Sequence, residues 1–150
     1  MRNRYYDVQG SLGFLTITTN RLMSAYFRKR LIESGIDLTP EQWGVLAQLW
    51  NKGSIAQDEL AQVLCVDKSS LSRVLDVMER RRLVVRKRDP GDARRKILFP
   101  TSQSEPLRES CQDIADDAME QLLRNVSPQD HDVCIRVLAQ VKETIKDLSQ

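Results

Sequence analysis

Apolar residues recur along the chain at the three- and four-residue spacing of amphipathic helices, interrupted by short polar clusters. This spacing predicts a long first helix over residues 12–34, which Gly35 ends because glycine accepts a left-handed backbone. Short apolar runs at 83–88 and 96–99 predict two strands. Further helices are predicted over residues 40–50, 57–64, 68–80, 102–125 and 128–150.

Polar residues before several of these helices are suited to cap them. Thr39 and Gln42 have the spacing of a capping box at the start of the second helix. Asp67 is placed to cap the fourth helix. Ser102 and Glu105 repeat the capping-box spacing, so the fifth helix is expected to begin there.

The two predicted strands are separated by a dense turn signal, Asp-Pro-Gly-Asp at residues 89–92. Strands joined by such a turn form a β-hairpin. The fold class predicted is therefore mainly α, with six helices and one small hairpin.

Size and composition limit the protein class. With 150 residues, 41% of them hydrophobic and 29% charged, the chain suits one globular domain. It has neither a run of roughly 18 apolar residues nor the order of an export signal, so a cytoplasmic location is expected. Three cysteines without a C-x-x-C pair and a single histidine predict no metal, no cofactor and no enzymatic site.

Positive charge is concentrated in one segment. The whole chain carries a net charge of only +2, but residues 68–96 hold eleven basic and four acidic side chains, a net charge of +7. Residues 1–67 are neutral, and residues 97–150 sum to −5. A compact cationic segment in a nearly neutral protein indicates contact with a polyanion, most often nucleic acid.

The cationic segment coincides with two short helices, a tight turn and the hairpin. Small hydroxyl residues and an arginine at the start of the second helix suit close approach to a DNA major groove. The helix N-terminus favours a phosphate, and hairpin arginines can flank the backbone or enter a minor groove. We predict a winged helix-turn-helix whose contacts with double-stranded DNA come from Lys68, Ser69, Ser70, Ser72, Arg73, Arg86, Arg88, Arg94 and Arg95.

These elements predict a single domain over residues 1–150, with residues 37–101 as the winged helix-turn-helix. Segments 1–36 and 102–150 carry more apolar residues than one small DNA-binding head needs to cover. They are predicted to form a dimerisation platform. Two heads related by a two-fold axis would reach successive major grooves, so the expected target is an inverted repeat.

The chain resembles the MarR (multiple antibiotic resistance regulator) family of winged-helix transcription factors over nearly its whole length. The resemblance is carried by residues 38–43, 58–61, 66–73, 78–79 and, above all, 89–95 (DPGDARR). It implies a homodimer joined by its terminal helices that regulates transcription from pseudo-palindromic operators. It also implies release from DNA when a small phenolic or anionic ligand, or an oxidant, is bound. The groove-facing residues implied are Ser69, Ser70, Ser72 and Arg73, with Arg94 at the wing tip and Asp92 bracing that arginine.

The chain departs from the family pattern at four positions, one of which is Pro100, where a leucine usually precedes the threonine, here Thr101. Cys65 and Arg82 stand where the family usually has glycine with a left-handed backbone, so each is expected to cost on the order of 1 kcal/mol. Ala93 stands where an arginine is frequent. The wing is therefore expected to read DNA through Arg94 with help from Arg95.

Several residues have two interpretations. Trp43, Tyr26 and Phe27 are ligand-pocket candidates between the first two helices and the DNA-binding head, but helical spacing of aromatics is also typical of a core. Cys65 lies beside a helix N-terminus and Lys68, so it is either a redox-responsive thiol or an inert cysteine. The overall alternative to a DNA-binding regulator is a protein-interaction module with a winged-helix shape.

Two further alternatives concern charged side chains. Arg80, Arg81 and Arg82 at the end of the fourth helix either complement the helix dipole or contact phosphate. Asp92 either braces Arg94 or is a simple turn aspartate.

Overall fold

The structure, a computed structural model, describes residues 7–149. The predicted segment 1–36 begins before this range, and the predicted segment 102–150 ends one residue beyond it. One compact unit ends at Ala115 and a second begins at Asp116. Among the described residues, no helix combines the length and apolar content needed to cross a bilayer.

Six helices and three short strands make up the described fold, which confirms the predicted mainly α class. The helices are α1 (Leu12–Glu33), α2 (Pro40–Lys52), α3 (Gln57–Leu64), α4 (Lys68–Arg80), α5 (Pro106–Leu123) and α6 (Pro128–Leu148). The strands are β1 (Ile55–Ala56), β2 (Val84–Arg88) and β3 (Lys96–Pro100).

Local capping signals set the helix starts. The side chain of Thr39 accepts a hydrogen bond from the Gln42 amide at 3.1 Å, and the Gln42 side chain accepts one from the Thr39 amide at 3.1 Å. The predicted capping box of α2 is therefore present. The predicted stop of α1 is also present, because Gly35 has a φ of +75°.

The predicted hairpin is part of a three-stranded antiparallel sheet in the order β1-β3-β2. Val85 lies opposite Phe99 in the hairpin, and Ile55 lies opposite Leu98 on the other side of β3. Strand β1 was not predicted, since two residues are too few to show an alternating pattern.

The predicted start of the fifth helix is wrong. Residues 102–105 form turns, and α5 begins at Pro106. The side chain of Thr101, not that of Ser102, accepts a hydrogen bond from the backbone amide of Ser104 at 3.3 Å. Ser104 is completely buried, and its hydroxyl donates to the Thr101 carbonyl at 2.8 Å. This compact turn replaces the predicted capping box.

An apolar core holds the helix-turn-helix and the sheet together. Its fully buried residues come from α1, the α1–α2 connection, α2, α3, α4, β2, β3 and α5. Each large apolar side chain buried in this way stabilises the fold by about 1.5–3 kcal/mol. The largest are Leu31, Leu38, Leu46, Leu49, Leu60, Leu75, Met78 and Leu98. The core thus fixes the inner face of α4, whose other face is left for the site.

Candidate nucleic-acid interface

The turn between α3 and α4 is tight because Cys65 adopts a left-handed backbone with a φ of +53°. Asp67 then caps α4. Its carboxylate accepts hydrogen bonds from the hydroxyls of Ser69 at 2.5 Å and Ser70 at 2.6 Å, and from the Ser70 amide at 2.8 Å. The bonds from Ser69 and then Ser70 hold the pKa of Asp67 far below its ordinary range.

This cap changes the predicted role of the helix start. The Ser70 amide, one of the groups predicted to favour a phosphate, is bound to Asp67. The hydroxyls of Ser69 and Ser70 donate to the same carboxylate, which leaves their oxygen lone pairs to accept hydrogen bonds from DNA bases.

Helix α4 has a buried face and an exposed face, with half-buried residues between them. Leu71, Leu75 and Met78 are buried. Lys68 and Arg73 are exposed, and the Arg73 guanidinium donates to the Ser70 hydroxyl at 3.4 Å. The structure therefore brings together the five predicted residues in the first turns of α4, where Lys68, Ser69 and Arg73 are exposed and Ser70 and Ser72 are half-buried.

The wing turn is ordered by its own backbone and by two aspartates. The Asp89 amide donates to the Arg95 carbonyl at 2.9 Å. The carboxylate of Asp92 accepts from the backbone amide of Arg94 at 2.9 Å. Asp92 thus orders the backbone at Arg94, and within residues 7–149 no ion pair joins their side chains.

The four predicted wing arginines fall into two pairs. Arg88 and Arg94 are exposed, and neither forms an ion pair with a described residue. Arg95 lies 3.5 Å from the carboxylate of Asp58 on α3 and 3.7 Å from that of Asp89. Desolvation by itself would raise the pKa of Asp58, but hydrogen bonds and the positive charge of Arg95 outweigh it and lower that pKa. Arg95 therefore connects the wing to α3.

Arg86 connects the wing to α4. Its guanidinium donates to Asp76 and, at 3.3 Å, to Glu79, and its side chain is only 13% exposed. Burial alone would lower the pKa of Arg86, but the hydrogen bonds to Asp76 and Glu79 raise it. The hydrogen bond from Arg86 holds the pKa of Asp76 below its usual range. Sequence reasoning missed Asp76 and Glu79, although their three-residue spacing places both on one side of α4.

A concave surface lies between α3, the start of α4 and the wing. Its volume is about 420 Å³, and its charged lining has an excess of cations: Lys68, Arg94, Arg95 and Lys96 against Asp58 and Asp92. The groove is therefore shaped and charged to receive a polyanion backbone.

The aromatic pocket candidates lie elsewhere. Phe27 and Trp43 pack edge to face with ring centroids 4.9 Å apart, against the core. The guanidinium of Arg30 lies 5.9 Å from the ring centre of Tyr26. None of the three lines the separate cavity of about 390 Å³ that is bordered by α1, α2, α3 and α4. The lining of that cavity includes Asn20, Ser24, Gly44, Leu64, Ser70 and Val74.

The cysteines occupy different environments. Cys65 and Cys134 are exposed, whereas Cys111 is buried. Burial raises the pKa of the Cys111 thiol to about 11. Within residues 7–149, no group of three or more histidine, cysteine, aspartate or glutamate side chains is arranged to hold a metal ion.

Comparison with known proteins identifies similar regulators. A model of the MarR family matches residues 38–96, which run from just before α2 to the start of β3. The HTH-type transcriptional regulator FarR of Neisseria gonorrhoeae is 31% identical over 116 residues, which cover 75% of this chain and 78% of FarR.

Solved structures share the fold. A mutant MarR from Escherichia coli complexed with operator DNA has a TM-score of 0.78 and 27% identity, covering 87% of this chain and 92% of that chain. BpsR of Bordetella bronchiseptica, whose DNA binding is regulated by 6-hydroxynicotinic acid, has a TM-score of 0.81 and 20% identity. That match covers 92% of this chain and 97% of BpsR and shows the common fold.

Proposed function

This chain belongs to the MarR family of DNA-binding transcriptional regulators, and on that basis we propose that it acts as a homodimeric repressor at an inverted-repeat operator. A small aromatic or anionic ligand releases it from DNA. Such a regulator acts in the compartment that holds the DNA, here the cytoplasm.

The outer face of α4, beside the cationic wing, is the single observation that carries the proposal. Arg73 supplies donors and the serines at the start of α4 supply acceptors for base edges, and the small serine side chains allow close approach. Arg88 and Arg94 of the wing carry charge that no described carboxylate neutralises. Lys68, which lines the groove, adds a third cation for the phosphate backbone.

Exposed apolar residues on the terminal helices support a homodimer. On α1 they include Leu12, Leu15 and Leu22, of which Leu22 is 73% exposed. Helix α6 has no buried residue, and its Leu148 is 83% exposed. Monomeric proteins seldom leave so many large apolar side chains in water, so we propose that a second copy of the chain buries the exposed apolar residues of each helix.

The cavity bordered by α1, α2, α3 and α4 supports release by a ligand. Three residues of α4, Ser70, Leu71 and Val74, form part of its lining. A molecule of the size of an aromatic acid bound there would contact the back of α4 and change its placement. The protein then leaves DNA if the ligand binds more tightly to the conformation in which α4 cannot reach DNA.

Selection of bound duplexes from a random pool tests the proposal. The expected result is an inverted repeat whose half-sites are one duplex turn apart, roughly 34 Å. Sedimentation of the same protein at the binding concentration should give a dimer. In a thermal-shift screen, at least one small aromatic acid should raise the melting temperature of the protein, because a ligand that binds only the folded state stabilises that state.

Two variants test the assigned residues. Arg73→Ala should weaken binding to the selected duplex by about 1–3 kcal/mol and relax base choice in each half-site. Arg94→Ala should weaken binding to all duplexes evenly and lower the salt slope by about one per arginine. Lys29→Ala on α1 removes an exposed cation paired with Glu33, so it serves as the control and should change neither property.

One pattern of results would favour the alternative function. If the pool yields no enriched sequence and mixed duplex binds weakly at every salt concentration, the winged helix is a protein-interaction module. Unchanged operator affinity in both Arg73→Ala and Arg94→Ala would likewise overturn the residue assignment.

A further inference from the structure

We propose that Arg81 is a positioning residue: it fixes the C-terminal end of α4 to the α1–α2 connection and thereby makes DNA recognition depend on α1. The inference rests on the proposed sequence-specific DNA binding. Arg81 is the residue that caps α4, on the opposite end of the helix from the serines. It acts through the placement of α4 and not by touching DNA.

The Arg81 guanidinium is directed at the chain itself. It donates to the backbone carbonyl of Asp37 at 2.6 Å and to the side-chain oxygen of Gln42 at 3.2 Å. The Asp37 carboxylate lies 4.0 Å away. A planar guanidinium that binds two acceptors in fixed directions specifies orientation as well as distance.

The acceptors of Arg81 are themselves held in place. Gln42 is only 7% exposed, and its side-chain oxygen also accepts the Thr39 amide in the capping box of α2. On the same segment, Arg28 of α1 donates to the Leu38 carbonyl and, at 2.9 Å, to the Asp37 carboxylate. Two guanidinium groups, one from α1 and one from the end of α4, therefore bind one short connection.

This arrangement supplies what the core does not. The core holds α4 through an apolar stripe, and apolar contact is non-directional, so it fixes the depth of a helix better than its rotation. On the wing side, Arg86 adds directional bonds to Asp76 and Glu79, and Arg81 adds them on the side of the α1–α2 connection. Directional bonds at the helix end fix its rotation. The chain then leaves α4 through Arg82, which has a φ of +57° and whose carbonyl accepts the Thr101 hydroxyl at 2.5 Å. Both the last turn and the exit of α4 are thus bound to other parts of the fold.

Arg80 provides a matched control. It lies one residue away on the same helix end, carries the same charge, and is exposed without an ion pair to any described residue. If charge near DNA is what matters, Arg80→Ala and Arg81→Ala should have similar effects. If placement matters, only the second should alter sequence recognition.

The first experiment measures binding of a duplex that the unaltered protein selects from a random pool and of a mixed-sequence duplex, at several salt concentrations. Arg81→Ala is expected to lower affinity for the selected duplex about fivefold or more. Its affinity for mixed duplex should stay within about twofold, and its salt slope should be unchanged, since no phosphate contact is lost. Arg28→Ala should give the same selective loss from α1, whereas Arg80→Ala should not.

Arg81→Lys keeps the charge and guards against a folding defect in the alanine variant. An ammonium group is a point donor that does not reproduce the planar, two-acceptor geometry, so the lysine variant should recover only part of the selectivity. Equal loss for both duplexes with a lower salt slope would show that Arg81 contacts phosphate and would overturn the proposal. Identical behaviour of the Arg80 and Arg81 variants would overturn it as well.

A second experiment needs no DNA and therefore separates this inference from the proposed function. Amide hydrogen exchange of the unliganded protein should be faster in the last turn of α4 in Arg81→Ala than in Arg80→Ala. Unchanged protection in Arg81→Ala would reject the positioning role even if no selected duplex is obtained. Faster exchange without any selected duplex would retain the contact and reject sequence-specific binding.

Discussion

Two residues with side chains occupy backbone conformations that favour glycine, and replacing them should stabilise the protein. Cys65 has a φ of +53° and Arg82 a φ of +57°. An L-residue in this region costs about 1–2 kcal/mol, because its Cβ crowds the following carbonyl oxygen. Glycine removes that strain but adds about 0.5–1 kcal/mol of unfolded-chain entropy. Taking the middle of both ranges, the expected net gain in unfolding free energy is about 0.75 kcal/mol for Cys65→Gly and for Arg82→Gly.

Little else is lost in either change. Both side chains are exposed. The Cys65 thiol donates only a weak hydrogen bond to the Gln62 carbonyl at 3.5 Å, and Arg82 forms no ion pair with a described residue. The backbone bond that Arg82 accepts from Thr101 is kept in the glycine variant. The structure therefore isolates the backbone effect at both positions.

The assay is thermal unfolding at one fixed protomer concentration, because association makes the melting temperature concentration-dependent. Each glycine variant should melt about 1–4 °C higher, and the double variant should show the sum. Cys65→Ala and Arg82→Ala are the controls, since they remove the same side chains but keep the strain. Glycine variants no more stable than their alanine counterparts would refute the reasoning.

Three other measurements follow from the ion pairs and thiols. Arg86→Met should lower the free energy of unfolding by about 1–2 kcal/mol in urea, because it leaves two carboxylates unpaired, whereas exposed Arg88→Ala should change it by less than about 0.5 kcal/mol. Arg86 lowers the pKa of Asp76 in the folded state, so this pair stabilises the fold fully above a pH of about 3.9, and the stabilisation is lost as acid protonates Asp76. Because the Asp76→Asn variant lacks this carboxylate, its unfolding free energy should fall less than that of the unaltered protein between neutral pH and pH of about 2. A thiol reagent at pH 8 should label Cys65 rapidly and buried Cys111 only as fast as the fold opens, since burial raises the pKa of Cys111 to about 11; equal labelling rates would contradict the burial.

Local chemistry explains what the sequence predicted well. The capping residues Thr39 and Asp67 act on amides within three residues, and Gly35 ends α1 through its own backbone. Such signals do not depend on the rest of the fold, so the helix-turn-helix and the hairpin were predictable. The left-handed backbones at Cys65 and Arg82 were expected from the family resemblance and are present.

The errors lie where distant parts of the chain meet. Strand β1 forms because β3 provides a partner for Ile55 and Ala56, not because two residues favour a strand. The sequence contained an equally good capping signal at Ser102, but Thr101 accepts the bond from the Ser104 amide, because Thr101 is itself held by hydrogen bonds to the distant carbonyls of Arg82 and Leu83. The predicted DNA contacts did not distinguish Arg86 from Arg88, because only tertiary packing brings Asp76 and Glu79 to one of them.

The ion pairs of the wing have a consequence for how the protein responds to its ionic surroundings. Arg86 and Arg95 already pair with carboxylates of their own chain, so while these pairs last neither arginine neutralises a phosphate or displaces a cation condensed on the DNA. The long-range field that guides encounter depends on the net charge of the whole segment, whereas the salt dependence of binding counts only the basic residues that neutralise a phosphate. Attraction toward DNA and sensitivity to salt are thereby set by different subsets of the same basic residues.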